Sequence, residues 1–546
     1  MVFERALFLW LVMLSACANE QRFPLRPVMW RDDDRTAFAP APAEYISPFA
    51  WDGADQMVFR PVARFFAVDP AGRATNVNAL DEVPDSSWFE NRIGQHAFTP
   101  ADIVSGPCGA DVLDVNMPPG SWVIDHGKTN GANPGFRVNI PGVGKFLLKA
   151  DPDGEPQRAT GATAIAARLY HAAGYFAPCD SVVYFDPRIL HLTPGLTASD
   201  NSGVARPFDQ AALDSLLSHA SHRAGLVRMG ASRWLPGKPI GPARYEGTRD
   251  DDPNDVVPHE DRRELRGARL MAAWLNHFDS REQNTMDVFM PLADDSQHRL
   301  GHVRHYILDL GDCFGSVWAS DELSRRLGHA YYFDFSYLML DFVSFGAVSR
   351  PWERARRDGG IFNYFSARDF DPEDWRGGYP NPAFVRMTEA DGAWFARILA
   401  RFDDSLISAA VGVGQYDPPS AAYLVRTLIA RRDLILQRYL TRLSPLADLR
   451  VRGHELCGVD LARRVNAVKK PSAPDARLLD ADGPRALPLH WNERDELCVT
   501  LPPLAAKQPL AYGIVEIATG SSSQPLRAHV YDRGATGLWL AGIERD

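Results

Sequence analysis

Short apolar runs separated by turn residues mark a strand-rich segment within the first third of the chain. Three of the runs have the length and composition of β-strands, and Gly- and Asn-rich stretches separate them: 121–126, 135–140 and 145–149. They predict a three-stranded meander. A further run of the same kind, Ser-Val-Val-Tyr-Phe at 181–185, predicts another strand.

Helical periodicity follows the meander. Apolar residues recur at i, i+3, i+4, i+7 and i+8 over 162–170, which predicts one apolar face of a helix that ends near Gly174. A second pattern over 265–275 predicts a helix that ends just after this stretch. Several helical patterns lie within 320–445, and the clearest of them covers 421–443.

The hydrophobic pattern of the sequence changes again from about residue 445. Short β-like runs such as 510–517 and 526–531 replace the helical patterns, which predicts a separate small β domain. The patterns divide the α+β chain into a short N-terminal segment (1–16), a tether (17–50), a long mixed body (51–445) and the small β domain (446–546).

Composition and charge narrow the class of protein. The chain has 546 residues, of which 45% are hydrophobic, and this is ample for more than one buried core. Its formal net charge is −10. Broad binding to a phosphate backbone needs clustered Lys and Arg, so the acidic balance argues against nucleic acid as a partner.

The first 17 residues have the pattern of a bacterial export signal. A short charged start precedes the apolar run 6–14, and Leu14-Ser15-Ala16-Cys17 follows. These four residues resemble the lipobox of bacterial lipoproteins, a family in which the Cys is acylated and becomes the mature N-terminus. The resemblance implies that 1–16 are removed and that a lipid on Cys17 holds the protein at a membrane of the cell envelope.

Two details of the sequence bear on this predicted location. Ala18, rather than Asp, follows the Cys, and by the sorting habits of lipoproteins this favours the outer membrane. A non-lipidated secretory signal and a short membrane anchor are the alternatives. The apolar run 6–14 is far shorter than the roughly 20 residues that span a bilayer.

Besides the lipobox residue the chain has five cysteines, in a compartment where disulfides persist. Cys457 and Cys498 both lie in the last hundred residues, and Cys108 and Cys179 lie in one predicted domain. Pairing within these two sets would leave Cys313 unpaired. The sequence does not fix the connectivity, and buried free thiols are the alternative.

The order of elements and two short motifs resemble the protein-kinase-like superfamily, including its HipA-like and spore-coat members. In that family a β-meander leads to a strand that carries a Lys, then to a helix and further strands. A later helix feeds an H-R-D-x-x-x-x-N catalytic loop, and a D-F-G metal motif follows. Here His277, Asp279 and Asn284 have the spacing of the catalytic loop, and Asp309-Leu310-Gly311 has that of the metal motif.

This resemblance implies a fold and a reaction class. The fold is α+β and two-lobed, with a β-rich N-lobe (51–186), a mainly helical C-lobe (187–445) and the small β domain (446–546) after it. The reaction is phosphoryl transfer with Mg²⁺ and ATP as cofactors. The acceptor is an unidentified protein or another molecule of the cell envelope.

The same resemblance assigns roles to four residues. Asp279 is the base beside the acceptor hydroxyl, Asn284 and Asp309 are the metal ligands, and Lys149 clamps the inner phosphates of ATP. These residue types suit the chemistry because phosphoryl transfer needs a carboxylate at the acceptor, oxygen ligands for Mg²⁺ and fixed cations against the phosphate charge.

Three further residues are candidates through their position. Arg281, two residues after Asp279, would place a cation near the transferred phosphoryl group. The loop 127–134 would cover the nucleotide with backbone N–H groups, including that of Gly131, and with the ammonium group of Lys128.

One departure from the family's pattern leaves two functions open. The helix after the Lys strand normally supplies a Glu that pairs with the Lys, but 158–173 contains no acid, and Glu155 is the nearest substitute. The intact acids and amide of the two motifs favour an atypical phosphotransferase. The missing Glu favours a catalytically inactive, pseudokinase-type binding or structural protein of the cell envelope.

Overall fold

The computed structural model describes most of the chain. Its described residues are 23–26, 34, 38–46, 49–67, 71–109, 113–128, 133–151, 154–199, 204–293, 299–316, 320–504 and 510–545. The predicted export signal with Cys17, and Gly131 of the predicted nucleotide loop, lie outside these residues.

The chain divides into two compact units, each with its own core. The large unit comprises Asp32–Asn76 and Val83–Tyr439. The tail unit comprises Val77–Glu82 and Leu440–Asp546, together with the residues up to Arg31.

The strands and helices of the large unit are numbered along the chain. The strands are β1 (Ala39–Pro40), β2 (Trp122–Lys128), β3 (Gly135–Ile140), β4 (Gly144–Lys149), β5 (Asp180–Phe185), β6 (Leu190–Leu192), β7 (Thr197–Ser199), β8 (Ala205–Pro207), β9 (His222–Arg223), β10 (Leu226–Arg233), β11 (Lys238–Gly241), β12 (Thr285–Pro291) and β13 (Leu300–Ile307). The helices are α1 (Phe49–Ala54), α2 (Arg60–Phe66), α3 (Pro100–Ser105), α4 (Arg158–Ala173), α5 (Gln210–His219), α6 (Arg263–Leu275), α7 (Asp321–Arg326), α8 (Phe335–Ser344), α9 (Pro382–Val385), α10 (Glu389–Leu399), α11 (Asp404–Gly412) and α12 (Pro418–Tyr439).

The main sheet of the large unit has the order β5-β10-β4-β3-β2-β6, and β9 pairs with β10 at its margin. Neighbouring strands are antiparallel except for the parallel pair β2 and β6. The predicted meander is therefore confirmed as β2-β3-β4. Buried and exposed positions alternate along these strands because one face packs on a core that includes Trp122, Phe136 and Val138.

A second sheet, of order β1-β13-β12-β11, contains the hairpin that positions the candidate site. In this hairpin Thr285 pairs with Ile307 at the open end. The residue before β12 and the residue after β13 must then lie side by side, and the Leu308 N–H donates to the Asn284 carbonyl at 2.8 Å. The hairpin thus joins the two predicted motifs.

Two buried helices flank these sheets. The Ala-rich sequence of α4 lets it pack closely on β5, β10 and the turn Leu310–Asp312. Helix α6 is buried along nearly its whole length, and the Trp274 indole donates to the Leu428 carbonyl of α12 at 2.8 Å. The predicted helices over 162–170 and 265–275 are confirmed. The helix predicted over 421–443 is confirmed as α12 except at its end, because α12 ends at Tyr439.

The tail unit is mainly β. Its elements are β14 (Leu446–Arg452), β15 (Glu455–Asp460), α13 (Leu461–Arg464), β16 (Asp475–Asp480), β17 (Gly483–Ala486), β18 (Leu489–Trp491), β19 (Leu497–Thr500), β20 (Ala511–Ala518), β21 (Leu526–Asp532) and β22 (Leu538–Glu544). They form two antiparallel sheets, β14-β15-β19-β18 and β17-β16-β20-β21-β22. A common apolar core includes Leu478, Val499 and Val515.

The described cysteines resolve the question of pairing. Disulfides join Cys108 to Cys179 and Cys457 to Cys498, and Cys313 is a buried free thiol. The pairing within two sets is therefore confirmed. None of the helices among the described residues combines the length and apolar character that crossing a membrane requires.

Candidate functional site

The Lys149 side chain, at the end of β4, pairs with Asp309. Asp309 lies two residues after the end of β13. Lys149 Nζ lies 2.8 Å from Asp309 Oδ1. Asp309 adopts the left-handed conformation, with φ 54° and ψ 48°, which Asp tolerates better than most residues. This turn directs the carboxylate back toward β4.

The charges of this pair reinforce each other. The Lys149 ammonium group holds the pKa of Asp309 below its usual range. Burial alone would lower the pKa of Lys149, but the Asp309 carboxylate outweighs it and the pKa of Lys149 is raised. Both groups are therefore ionised at neutral pH.

The second motif forms a tight loop after α6. Asn276 ends the helix in the left-handed conformation, with φ 51° and ψ 44°. The Asn284 amide then donates to both the carbonyl and the carboxylate of Asp279, at 2.7 Å and 2.9 Å. Because the Nδ2 group of Asn284 is used in this way, its Oδ1 oxygen is left to accept a hydrogen bond or to bind a cation.

Arg281 contacts the predicted base directly. Its Nε atom lies 3.3 Å from Asp279 Oδ1, and its Nη1 group donates to the Tyr379 hydroxyl at 3.1 Å. Burial nevertheless raises the pKa of Asp279 to about 6. Asp279 is thus ionised at neutral pH but close to the range in which a carboxylate can take up a proton.

One cavity of about 240 Å³ brings the two motifs and the meander together. Three of the predicted residues, Lys149, Asn284 and Asp309, line it, and Asp279 adjoins it through Asn284. The remaining lining comes from residues of the sheet and its flanking elements, including Asn133, Leu147, Thr160, Gly230, Ala231 and Leu308.

Lys128 adjoins the same cavity without lining it. Its ammonium group donates to the carbonyl of the lining residue Asn133 at 3.0 Å. Burial, together with the positive charge of Lys149, lowers the pKa of Lys128 to about 8. An anionic ligand in the cavity would raise this pKa and hold the lysine charged.

Two acids of the cavity region escaped the sequence interpretation. Asp312 lies three residues after Asp309, and burial, with the nearby charges of Asp279 and Asp309, raises its pKa to about 7. Asp180 opens β5 and lines the cavity, and its Oδ1 atom is buried without a hydrogen-bond partner among the described residues. Burial raises the pKa of Asp180 to about 7.

Glu155 does not take the place of the missing helix Glu beside Lys149. It lies 2.6 Å from Arg158 Nε, in a pair with side-chain exposures of only 1% and 6%. Arg158 in turn donates to the Gly311 carbonyl at 2.8 Å. This pair therefore holds the turn after Asp309 rather than the lysine. Asp309 raises the pKa of Lys149 most, and Asp180 is the next carboxylate that raises it. The second negative charge near Lys149 thus comes from a strand residue and not from α4.

His277 connects the loop to α4. Its Nδ1 atom lies 2.9 Å from the Tyr170 hydroxyl, and burial lowers its pKa to about 4. The ring is therefore neutral at physiological pH. It fixes the start of the loop by a neutral hydrogen bond and does not add charge to the cavity.

The donor set around the cavity fits a hard cation such as Mg²⁺. Mg²⁺ prefers oxygen ligands and is often bound through one or two carboxylates together with phosphate oxygens. Asp309 and Asn284 offer such oxygens. The raised pKa values of Asp279 and Asp312 reflect burial and the negative charge of neighbouring carboxylates, which a cation would offset.

A second group of ligand-type residues lies in the tail unit. Glu455, Cys457 and Cys498 place ligand atoms within 4.8 Å of one another. Both sulfurs already form a disulfide, so the group does not suit a metal ion.

Comparisons with known proteins give little beyond this geometry. No protein-family model matches the chain, and no curated protein matches it. Among solved structures the chain is similar to the crystal structure of the Golgi casein kinase with Mn/ADP bound, at a TM-score of 0.28 and 13% sequence identity. The match covers 59% of this chain and 72% of the other. At this TM-score the similarity supports no conclusion on its own.

Proposed function

We propose that the large unit has a two-lobed, kinase-like fold and binds ATP with a divalent cation in the cavity between Lys149 and Asn284. The observation that carries this proposal is the convergence of Lys149 and Asp309, at 2.8 Å, on one cavity with Asn284. Three distant segments supply these groups, and they are the clamp and the ligands that phosphoryl transfer needs.

In the proposed reaction, Asp279 accepts the proton of an acceptor hydroxyl as its oxygen attacks the γ-phosphorus of ATP. The new O–P bond forms while the bond from the γ-phosphorus to the bridging oxygen breaks, and ADP leaves with that electron pair. A bound Mg²⁺ would neutralise charge on the phosphate oxygens. Arg281 contacts Asp279 and orients it, and Lys149 would bind the inner phosphates.

A second function is favoured by one specific observation. Helix α4 has no acid to hold Lys149, and the ion pair with Asp309 occupies both the clamp and a metal ligand. If that pair does not open, the protein is an inactive, pseudokinase-type binding or structural protein. The two functions differ in whether ATP is bound and whether it is turned over.

The test combines thermal unfolding with a turnover assay on the purified full chain. We expect Mg²⁺-ATP to raise the melting temperature of the wild type and of Asp279→Asn, but not of Asp309→Asn. Asp279→Asn should lower kcat by about 10²- to 10⁴-fold. Asp321→Asn, at an exposed position on α7, is the matched control. Binding without turnover in the wild type would support the inactive alternative, and no binding would refute the proposal.

We also propose that a lipid on Cys17 anchors the protein in the bacterial envelope, as the lipobox resemblance implies. The support is the sequence pattern of 1–17. Metabolic labelling with radioactive palmitate should label the wild-type chain and leave Cys17→Ser unlabelled. Equal labelling of both chains would contradict the assignment.

A further inference from the structure

Two helical segments of the large unit are oriented with their apolar faces toward solvent. The first segment runs through α1, the π-helical turn Asp55–Phe59 and α2. Its polar side holds it to the protein: Arg60 Nη1 donates to Glu282 at 2.6 Å, and Arg64 Nε donates to Glu246 at 3.1 Å. Its other side exposes large apolar side chains at helical spacing: Trp51, Val58, Phe59, Val62, Phe65 and Phe66.

Helix α8 repeats this arrangement. Its polar side contacts the protein through an ion pair between Asp341 and Arg350, and the Tyr337 ring packs edge-on against Trp352 at 4.8 Å. No residue of α8 is fully buried. Its apolar residues face outward with the spacing i, i+3, i+4, i+7 and i+8: Phe335, Leu338, Met339, Phe342 and Val343.

This orientation is the reverse of that of an ordinary surface helix, which buries its apolar stripe. The exposures are large: 83% for Phe65, 78% for Phe342 and 97% for Phe345, just after α8. Contiguous apolar surface of this kind marks a contact with another molecule or with a membrane.

Both segments lie near the loop that carries Asp279. Glu282, the partner of Arg60, belongs to that loop. Tyr332, which precedes α8, packs against Tyr379 at 5.1 Å between ring centroids, and Tyr379 accepts the hydrogen bond from Arg281.

An electrostatic link between the segments supports this placement. Burial raises the pKa of Tyr331, and Arg64 of α2 is among the charges near enough to lower it. Tyr331 itself contacts the cap of α8, because its N–H donates to Asp334 at 3.4 Å. The two segments thus lie near each other beside this loop.

Two observations favour phospholipid as the partner of this surface: the short chain between Cys17 and the large unit, and the charge of the segment after α8. Asp34 accepts hydrogen bonds from the Ser87 N–H at 2.9 Å and so belongs to the large unit. Cys17 precedes Asp34 by 17 residues, so a lipid on Cys17 would keep the large unit within about 60 Å of the bilayer. The segment 353–358 after α8 has three exposed arginines (Arg354, Arg356 and Arg357) against two exposed acids (Glu353 and Asp358), and this net positive charge suits anionic headgroups.

We propose that the α1–α2 segment and α8 form one membrane-docking surface, which binds a bilayer containing anionic phospholipid. Aromatic side chains insert at the boundary of headgroups and acyl chains, while the polar sides of the helices keep their contacts with the protein. The proposal is independent of phosphoryl transfer, because neither the stripes nor their attachments include a residue that lines the cavity. Its argument from reach rests on the lipid proposed at Cys17.

The test is co-flotation of the full chain with vesicles of phosphatidylethanolamine and phosphatidylglycerol. All chains carry Cys17→Ser, so that an acyl chain at this position cannot cause binding. We expect the parent chain to float with the vesicles. Phe65→Glu and Phe342→Glu should each weaken binding by about tenfold or more, and together should abolish it.

Val256→Glu is the matched control, because it places the same charge at an apolar position of 66% exposure outside both stripes. It should bind like the parent chain, and all variants should keep the parent melting temperature, since no stripe residue is buried. The proposal is overturned if the parent chain does not float, or if the control loses as much binding as the stripe variants. A concentration-dependent dimer that Phe342→Glu dissociates, without vesicle binding, would overturn it in favour of a second copy of the chain.

Discussion

Lys149 and Asp309 form an ion pair of 2.8 Å, although 160 residues separate them along the chain. The pair joins the end of the meander to the turn after the β12–β13 hairpin. In this arrangement Lys149, the proposed phosphate clamp, neutralises the charge of Asp309, the proposed metal ligand. A bound cation would replace Lys149 as the partner of Asp309, and bound phosphates would replace Asp309 as the partner of Lys149. Binding of the cation and of the phosphates should therefore be coupled.

Removal of the Lys149 charge should weaken nucleotide binding. We expect Lys149→Met to raise the Kd for Mg²⁺-ATP by at least tenfold, because the cavity loses a cation that faces the phosphates. Isothermal titration calorimetry measures this directly. Lys145→Met, at an exposed position on the same strand, is the control and should bind like the wild type. Equal loss in both variants would show that the effect is not local.

Asp180 should make the stability of the large unit depend on pH. Burial raises its folded-state pKa from 3.8 to about 7. Between these values the folded chain binds more protons than the unfolded chain, so the free energy of unfolding falls as pH rises. We expect Asp180→Asn to be more stable than the wild type at pH 8, by up to about 4 kcal/mol, and to lose this advantage near pH 4.

Thermal unfolding of both proteins at a series of pH values checks this expectation. Asp214→Asn, at an exposed position on α5, is the control and should follow the wild type. A wild-type stability that does not fall between pH 4 and pH 7 relative to Asp180→Asn would contradict the raised pKa.

The buried pair of Arg158 and Glu155 should be essential to stability as a pair. Arg158→Gln leaves a buried carboxylate without its cation, and we expect it to lower the free energy of unfolding by about 3 to 5 kcal/mol. The double variant Glu155→Gln/Arg158→Gln should recover at least about 1 kcal/mol, since no unpaired charge remains. Denaturant unfolding of the single and double variants measures the coupling, and additive losses would argue against it.

The two disulfides should be detectable and stabilising. They close sequence separations of 71 and 41 residues, and by chain entropy each should contribute about 4 kcal/mol. Peptide mapping without reduction should find these two linkages. An alkylating reagent should reach Cys313 only after unfolding, because its thiol is buried. Labelling of Cys313 in the native protein, or a melting temperature unchanged by reduction, would contradict these assignments.

Much of the secondary structure could be predicted from the sequence because its signals are local. The apolar runs at 135–140 and 181–185 became β3 and β5, and the periodic stretch over 162–170 became part of α4. Each pattern states which face of one element is buried. Such a pattern does not show which strands pair with each other. The position of β10 between β4 and β5 could therefore not be predicted from the sequence around β10.

The candidate site was predictable where spacing along the chain carries the information. The loop from Asp279 to Asn284 closes on itself through hydrogen bonds of 2.7 Å and 2.9 Å, and its six residues are enough to define it. Asp180 could not be predicted in this way. It opens an ordinary strand, and only the packing of that strand beside β10 brings it to the cavity.

The sequence by itself determined the export signal pattern, the strands of the meander and the two motifs, because each depends on residues close together in the chain. The tertiary structure alone decided that Lys149 pairs with Asp309 and that Glu155 pairs with Arg158. It also decided that the apolar stripe of α8 faces outward. Periodicity shows that a helix has an apolar face, but what that face meets depends on long-range packing and on the partners of the polar side.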